Sequence, residues 1–157
     1  IEPIDRLVDY RFNANYRSFI TDELVPLIDK EIQTTSERLV MGASLGGLVS
    51  ATLALEHPTL FQTVIAQSGA FLGSPTELDF YKGTTSWVLE TLQQHERLPL
   101  RWYTEVGAIE WLTDINRKVH DVLKQKNYDH VYAERNAGHN WVNWRNGLGN
   151  ALKFALK

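Results

Sequence analysis

Ser44 is the residue of this chain whose setting best suits a nucleophile. It lies in Gly42-Ala-Ser-Leu-Gly46, a G-x-S-x-G pattern. Leu39, Val40 and Met41 before it suit a buried strand. Leu48, Ala51, Thr52 and Leu55 after it recur at helical spacing. Strand, sharp turn and helix in that order let a serine hydroxyl project clear of a sheet. Gly42 and Gly46 carry no Cβ, so strand and helix can come close, and Gly47 extends that smooth surface. The helix turns its positive end and its unbonded N–H groups toward the serine. The N–H of Leu45, the next residue, is placed to bind an oxyanion. A chance match and a phosphate-binding turn are the plainer readings, and the flanking strand and helix weigh against both.

A serine hydroxyl needs a base to take its proton at neutral pH. The chain has 5 histidines. His139 follows a predicted strand and sits in the turn Asn136-Ala-Gly-His139, which can bring it to the same sheet edge as Ser44. His57, His120 and His130 fall at helix or strand ends, and His95 ends a helix among charges. The base in turn needs a carboxylate to orient it. In the chain order nucleophile, acid, histidine, that acid lies between 44 and 139, just past a strand. Glu110, in the loop after Gly107, fits best. Asp114 comes second, with helix capping as its simpler role, and Glu105 third, because it falls within a strand. A solvated loop charge at Glu110, leaving a Ser–His pair without an acid, stays open. Trp141, Trp144 and Arg145 follow the histidine. Packing and a surface ion pair would account for them, but an aromatic wall with a cation would also receive an aromatic or acidic ligand.

These residues must be held by elements, and the hydrophobic spacing supplies them. Residues 1–13 have no period and read as a loop. A helix is predicted over 15–30, with Phe19, Ile20, Leu24, Leu27 and Ile28 on one face and Pro26 as a kink. The elbow strand and helix come next, the helix ending near Glu56-His57-Pro58. A strand over 61–67 buries Val64, Ile65 and Ala66. Residues 71–82 read as a long loop of the kind that shapes a pocket. A short helix over 85–95 presents Trp87, Val88, Thr91 and Leu92. A third strand spans 100–106. A helix from Asp114 to about Lys126 buries Ile115, Val119, Val122 and Leu123. A fourth strand spans 129–134 and a last helix 141–156. Strands alternating with helices predict an α/β fold with a mostly parallel sheet flanked by helices.

The bulk numbers set outer bounds. A length of 157 residues fits one domain, and 43% hydrophobic with 22% charged residues is ordinary for a globular chain. The net charge of −3 offers no basic footprint for nucleic acid. With Cys 0, neither a disulfide nor a thiolate metal site can form. No apolar run has membrane-spanning length, and residues 1–13 are not expected to be a signal peptide. The expected partner is a small-molecule ester, with no nucleic acid, no membrane, no metal and no cofactor. The expected location is the cytoplasm, with a periplasmic or secreted site left open.

Three stretches together resemble a known family: Phe19-Ile-Thr-Asp-Glu-Leu-Val-Pro26, then Met41-Gly-Ala-Ser-Leu-Gly-Gly-Leu48 through Gln67-Ser-Gly69, and Ala137-Gly-His-Asn-Trp141 with Trp144-Arg145. They are similar to the putative esterase (esterase D-like) family of α/β-hydrolases, closest to its enterochelin esterase branch. The resemblance implies Ser44 as nucleophile, His139 as base and Glu110, in Gly107-Ala-Ile-Glu110, as acid. Ala137 and Asn140 depart from that branch, where Gly and Asp are usual. Related branches act on feruloyl esters, simple acyl esters or S-formylglutathione. The resemblance also implies about eight strands, so the four predicted here form a C-terminal portion. A further N-terminal stretch would then supply the second oxyanion donor and cover the elbow strand, whose open edge is otherwise free to pair with another copy. The expected activity is a serine carboxylic ester hydrolase of Ser-His-(Glu) type, with two alternatives kept beside it: a non-catalytic ligand-binding module, or an acyltransferase.

Overall fold

The structure is a computed structural model describing residues 1–77 and 85–157. Its centre is a sheet of four parallel strands in the spatial order β1-β2-β3-β4. These are β1 (Leu39–Ala43), β2 (Thr63–Gln67), β3 (Arg101–Gly107) and β4 (Asp129–Arg135). Parallel neighbours require long crossovers. The crossovers contain α4 (Leu45–Glu56), α5 (Trp87–Gln94) and α6 (Thr113–Gln125), and α7 (Trp141–Ala155) follows β4. Before β1 lie α1 (Arg6–Asp9), α2 (Ala14–Ser18) and α3 (Val25–Glu31).

The two faces of the sheet are buried by different helices. Val64, Ala66 and Trp102 pack with Leu48, Leu92 and Leu123 from α4, α5 and α6. On the opposite face, Ile65 and Tyr103 pack with Ala151 and Phe154 of α7. Burial from both sides explains why every residue of β2 is buried, the usual state of an inner parallel strand. It also explains the helical periods. Ile115, Val119, Val122 and Leu123 of α6 are all buried, as are Val88, Thr91 and Leu92 of α5.

The elbow strand departs from expectation. Leu39 and Met41, expected to be buried, are 39% and 36% exposed. Register gives the reason. Val40 pairs with Val64 and packs on the α4 face, whereas Met41 pairs with Ile65 and shares the α7 face. The core on that face is Ile65 and Tyr103 with Ala151 and Phe154, on β2, β3 and α7, and β1 is one of the two edge strands among the described residues.

The N-terminal segment differs as well. Residues 1–13 contain a short helix, α1, capped by the Asp5 side chain, which accepts from the N–H groups of Leu7 and Val8. The helix expected over 15–30 is α2, a π-helical stretch Phe19–Leu24 and α3 in succession. Val25 N–H reaches back to Ile20 C=O, a wider turn just before Pro26, whose ring has no N–H to give. Of the five apolar residues expected on one face, only Ile20 is buried, while Phe19, Leu27 and Ile28 are exposed. Asp114 is not the cap of α6. Leu112 holds that position, and Asp114 sits exposed in the first turn, 3.7 Å from Arg117. Of the loop expected over 71–82, residues 78–82 lie outside the described residues.

Candidate active site

Ser44 occupies the single residue between β1 and α4. Its backbone, at φ 58 and ψ −121, is in a region that costs a non-glycine residue about 1–3 kcal/mol. Fixed hydrogen bonds hold it there. Ser44 N–H donates to Gln67 C=O at 2.9 Å, and Ser44 C=O accepts from Leu48 N–H at 3.1 Å and Ala70 N–H at 3.0 Å. The glycines divide the remaining work unequally. A Cβ on Gly42 would overlap the Gly46 backbone carbonyl, and one on Gly47 would meet Gly69 Cα at 3.1 Å. A Cβ on Gly46 would meet only Tyr10, at an ordinary 3.9 Å. Gly42 and Gly47 therefore permit the close approach expected of Gly42 and Gly46. Leu45 opens α4, so its N–H lies among the amides that have no acceptor within the helix.

The loops after β3 and β4 bring the other two groups to this turn. Ala108 N–H donates to Arg135 C=O at 2.7 Å and Ile109 N–H to Ala137 C=O at 3.3 Å, which ties the two loops side by side. Gly107 makes that possible, since a Cβ there would overlap the Ala137 carbonyl. The outcome is a continuous line of three side chains. His139 Nε2 lies 3.0 Å from Ser44 Oγ, across 95 positions of sequence. His139 Nδ1 hydrogen-bonds Glu110 Oε2 on its other side.

Glu110 is 1% and His139 25% exposed at the side chain. The second carboxylate oxygen of Glu110 accepts from Ser68 Oγ at 2.7 Å and from Gly107 N–H at 2.6 Å. The carboxylate thus has partners on both oxygens, the condition for burying a charge at low cost. With Nδ1–H directed at the carboxylate, the lone pair of Nε2 faces Ser44. Of the two runners-up for the acid, Asp114 is exposed and paired with Arg117. Glu105 is buried but its carboxylate bonds groups other than His139: it lies 2.6 Å from Arg135 and within reach of Tyr103 and Gln67. Burial, with the Glu105 charge beside it, pushes the Tyr103 hydroxyl up to about 12.

Aromatic rings surround the histidine. Trp144 meets it edge-on at 5.0 Å, Trp141 meets Trp144 in the same way at 5.0 Å, and Trp111 lies 6.3 Å from the histidine ring. A cleft of about 970 Å³ opens at Ser44 and His139 and runs along β1 past Met41 toward Tyr10. Trp141 and Trp144 line it; Arg145 does not, and is exposed. Trp141 is 77% exposed, leaving an accessible ring beside the serine, whereas Trp144 is buried. Sequence reasoning missed Ser68 and Trp111. Ser68 directly follows the C-terminal end of β2, beside the elbow strand, and that position at a parallel sheet's site-bearing edge was the available signal.

The comparisons with known proteins bear on the whole arrangement. The chain is 29% identical to uncharacterized protein YjcH of Bacillus subtilis (strain 168) over 161 residues, covering 93% of this chain and 61% of that protein. It thus spans about three-fifths of that relative's length. Among solved structures, the enterobactin esterase FES from Shigella flexneri, in the presence of 2,3-di-hydroxy-N-benzoyl-glycine, superposes with a TM-score of 0.83 at 25% identity, over 99% of this chain and 42% of that one. A ferulic acid esterase superposes with a TM-score of 0.77 at 19% identity, over 89% of this chain and 60% of that one, a likeness of fold alone. The parallel sheet with its flanking helices is that of the α/β-hydrolase esterases. The Putative esterase family matches residues 9–155, nearly the full length described above, and the chain belongs to that family.

Proposed function

We propose that this chain carries the catalytic serine, histidine and acid of an esterase that hydrolyses small-molecule carboxylic esters. The observation that carries this reading is the unbroken line Ser44–His139–Glu110, with Ser44 Oγ 3.0 Å from the imidazole. His139 Nε2 takes the hydroxyl proton as Ser44 Oγ attacks the ester carbonyl, and Glu110 stabilises the imidazolium. The Leu45 N–H donates to the oxyanion as it forms, a contribution of about 10²–10³ in turnover for one such donor. The imidazolium returns its proton to the departing alkoxide, leaving Ser44 acylated. A water molecule, deprotonated by His139, then releases the acid.

Trp141 and Trp144 form an aromatic side to the cleft at the reacting serine. An ester with a planar or aromatic group fits such a wall best. The likeness to the enterobactin esterase at 25% identity makes aromatic siderophore esters one substrate class to assay. Among the described residues no helix is long and apolar enough to cross a membrane.

The test is hydrolysis of p-nitrophenyl acetate by the full-length protein and its Ser44→Ala variant. Turnover that falls by about 10⁴ or more in the variant is expected. Equal rates would end the esterase reading. Saturable ligand binding without ester cleavage would then mark a binding module, and ester formation with an added alcohol would mark an acyltransferase.

A further inference from the structure

Two side chains stand behind Glu110: Ser68, which bonds it directly, and Trp144, which bonds Ser68. Ser68 is fully buried, and its backbone sits at φ 49, in the left-handed region. Its N–H is fixed to Glu105 C=O at 2.6 Å. Its hydroxyl lies 2.7 Å from Glu110 Oε1 and 2.9 Å from the indole Nε1 of Trp144. An indole N–H can only donate, and an ionised carboxylate can only accept. The direction of the proton is therefore determined. Trp144 occupies an acceptor site of Ser68, and the one Ser68 proton goes to Glu110.

That bond settles which carboxylate oxygen serves the histidine. Oε1 takes Ser68 O–H and Gly107 N–H, and Oε2 is left for His139 Nδ1. Trp144 is itself anchored, because its C=O accepts from Gln67 Nε2 at 2.6 Å and its ring stands perpendicular to His139 at 5.0 Å.

We infer that Ser68 and Trp144 are positioning residues, a two-step relay from indole to hydroxyl to carboxylate that orients Glu110 for the reaction. The inference rests on the esterase reading above. It also gives Trp144 a role beyond lining the cleft. A hydrogen bond to a charged group, removed from one side, changes a rate or equilibrium by about 10- to 100-fold. Ser68→Ala should therefore lower kcat by about 10- to 100-fold with KM within about two-fold. Trp144→Phe keeps a ring against His139 but loses the N–H, and should lower kcat in the same direction by less. The double variant should fall no further than Ser68→Ala, because without the hydroxyl the indole has nothing to pass on.

The experiment measures kcat and KM for p-nitrophenyl acetate on the full-length wild type, both single variants, the double variant and Ser44→Ala, with thermal unfolding of each. A lower kcat, an unchanged KM and non-additive losses in folded variants support the relay. An active wild type with Ser68→Ala at full kcat overturns it and leaves the esterase reading standing, as do strictly additive losses. A wild type no faster than Ser44→Ala sinks both. Should Ser68→Ala fail to fold, Trp144→Phe decides alone, and full kcat there overturns the inference.

Discussion

Glu110 and Glu105 are both almost fully inaccessible, five residues apart, and exchanging each for glutamine should give opposite results. At Glu110, the Oε1 site faces two donors, Ser68 O–H and Gly107 N–H. A glutamine would keep its oxygen there and turn its NH₂ toward His139 Nδ1. The imidazole would answer by moving its proton to Nε2, which would then face Ser44 as a donor and not as a base. The shape hardly changes, so stability should move little. The rate should fall by roughly 10³–10⁴, the scale of an amide in place of a triad carboxylate. At Glu105, the carboxylate accepts from Gln67, Tyr103 and both terminal nitrogens of Arg135. A glutamine would set its NH₂ against one of these donors and leave the Arg135 charge uncompensated. Breaking a buried pair in this way costs about 3–5 kcal/mol of stability. Any Glu105→Gln protein that stays folded should retain most of the wild-type kcat. The assay is kcat for p-nitrophenyl acetate beside urea denaturation. The reasoning is refuted if Glu110→Gln keeps more than about a tenth of kcat, or if Glu105→Gln is the variant that loses rate without losing stability.

Other consequences concern the elbow, the cleft and a histidine pair remote in function. Gly42→Ala should destabilise the fold by about 3 kcal/mol or more, since the new Cβ meets backbone that cannot turn aside, while Gly46→Ala should cost under about 1 kcal/mol; thermal melts of the pair decide. Trp141→Ala should raise KM several-fold for an aromatic ester, and Arg145→Ala should leave it within about two-fold, as steady-state kinetics on both will tell. His120 is held below its ordinary value by burial and by the nearby His130, whose ring nitrogen lies 3.0 Å away. Its unfolded form therefore binds more protons than its folded form as pH falls below the ordinary histidine value of 6.5, and the stability it contributes above that pH is lost as pH falls through its lower folded value. Wild type should lose more melting temperature than His120→Gln between pH 7 and about 5.5, and parallel curves would contradict this.

Much of this was legible in the sequence because local rules and tertiary structure agree at the relevant points. The apolar run 39–41, Gly42 and the helical period after Ser44 all demand one strand–turn–helix, and α6 follows from the spacing of Ile115, Val119, Val122 and Leu123. Strand ends moved by one or two residues, as between the expected 61–67 and the observed Thr63–Gln67. The partner of His139 was harder to read, because what brings Glu110 to it and not Asp114 is the pairing of two loops through Gly107 and Ala137, a contact between distant parts of the chain. The exposure of Leu39 and Met41 escapes the sequence for a related reason. An apolar run fits either an inner or an outer strand, and only register and the reach of α7 separate the two. Ser68 carries no period and no motif of its own, so its bond to Glu110 shows only in three dimensions.

The central claim is that Ser44 is an activated nucleophile, and covalent capture tests it most directly. Full-length protein treated with a fluorophosphonate should gain one adduct by intact mass, mapped by peptide sequencing to Ser44, and His139→Ala should slow that labelling sharply. An unlabelled protein, or an adduct on another residue with Ser44 untouched, would contradict the account.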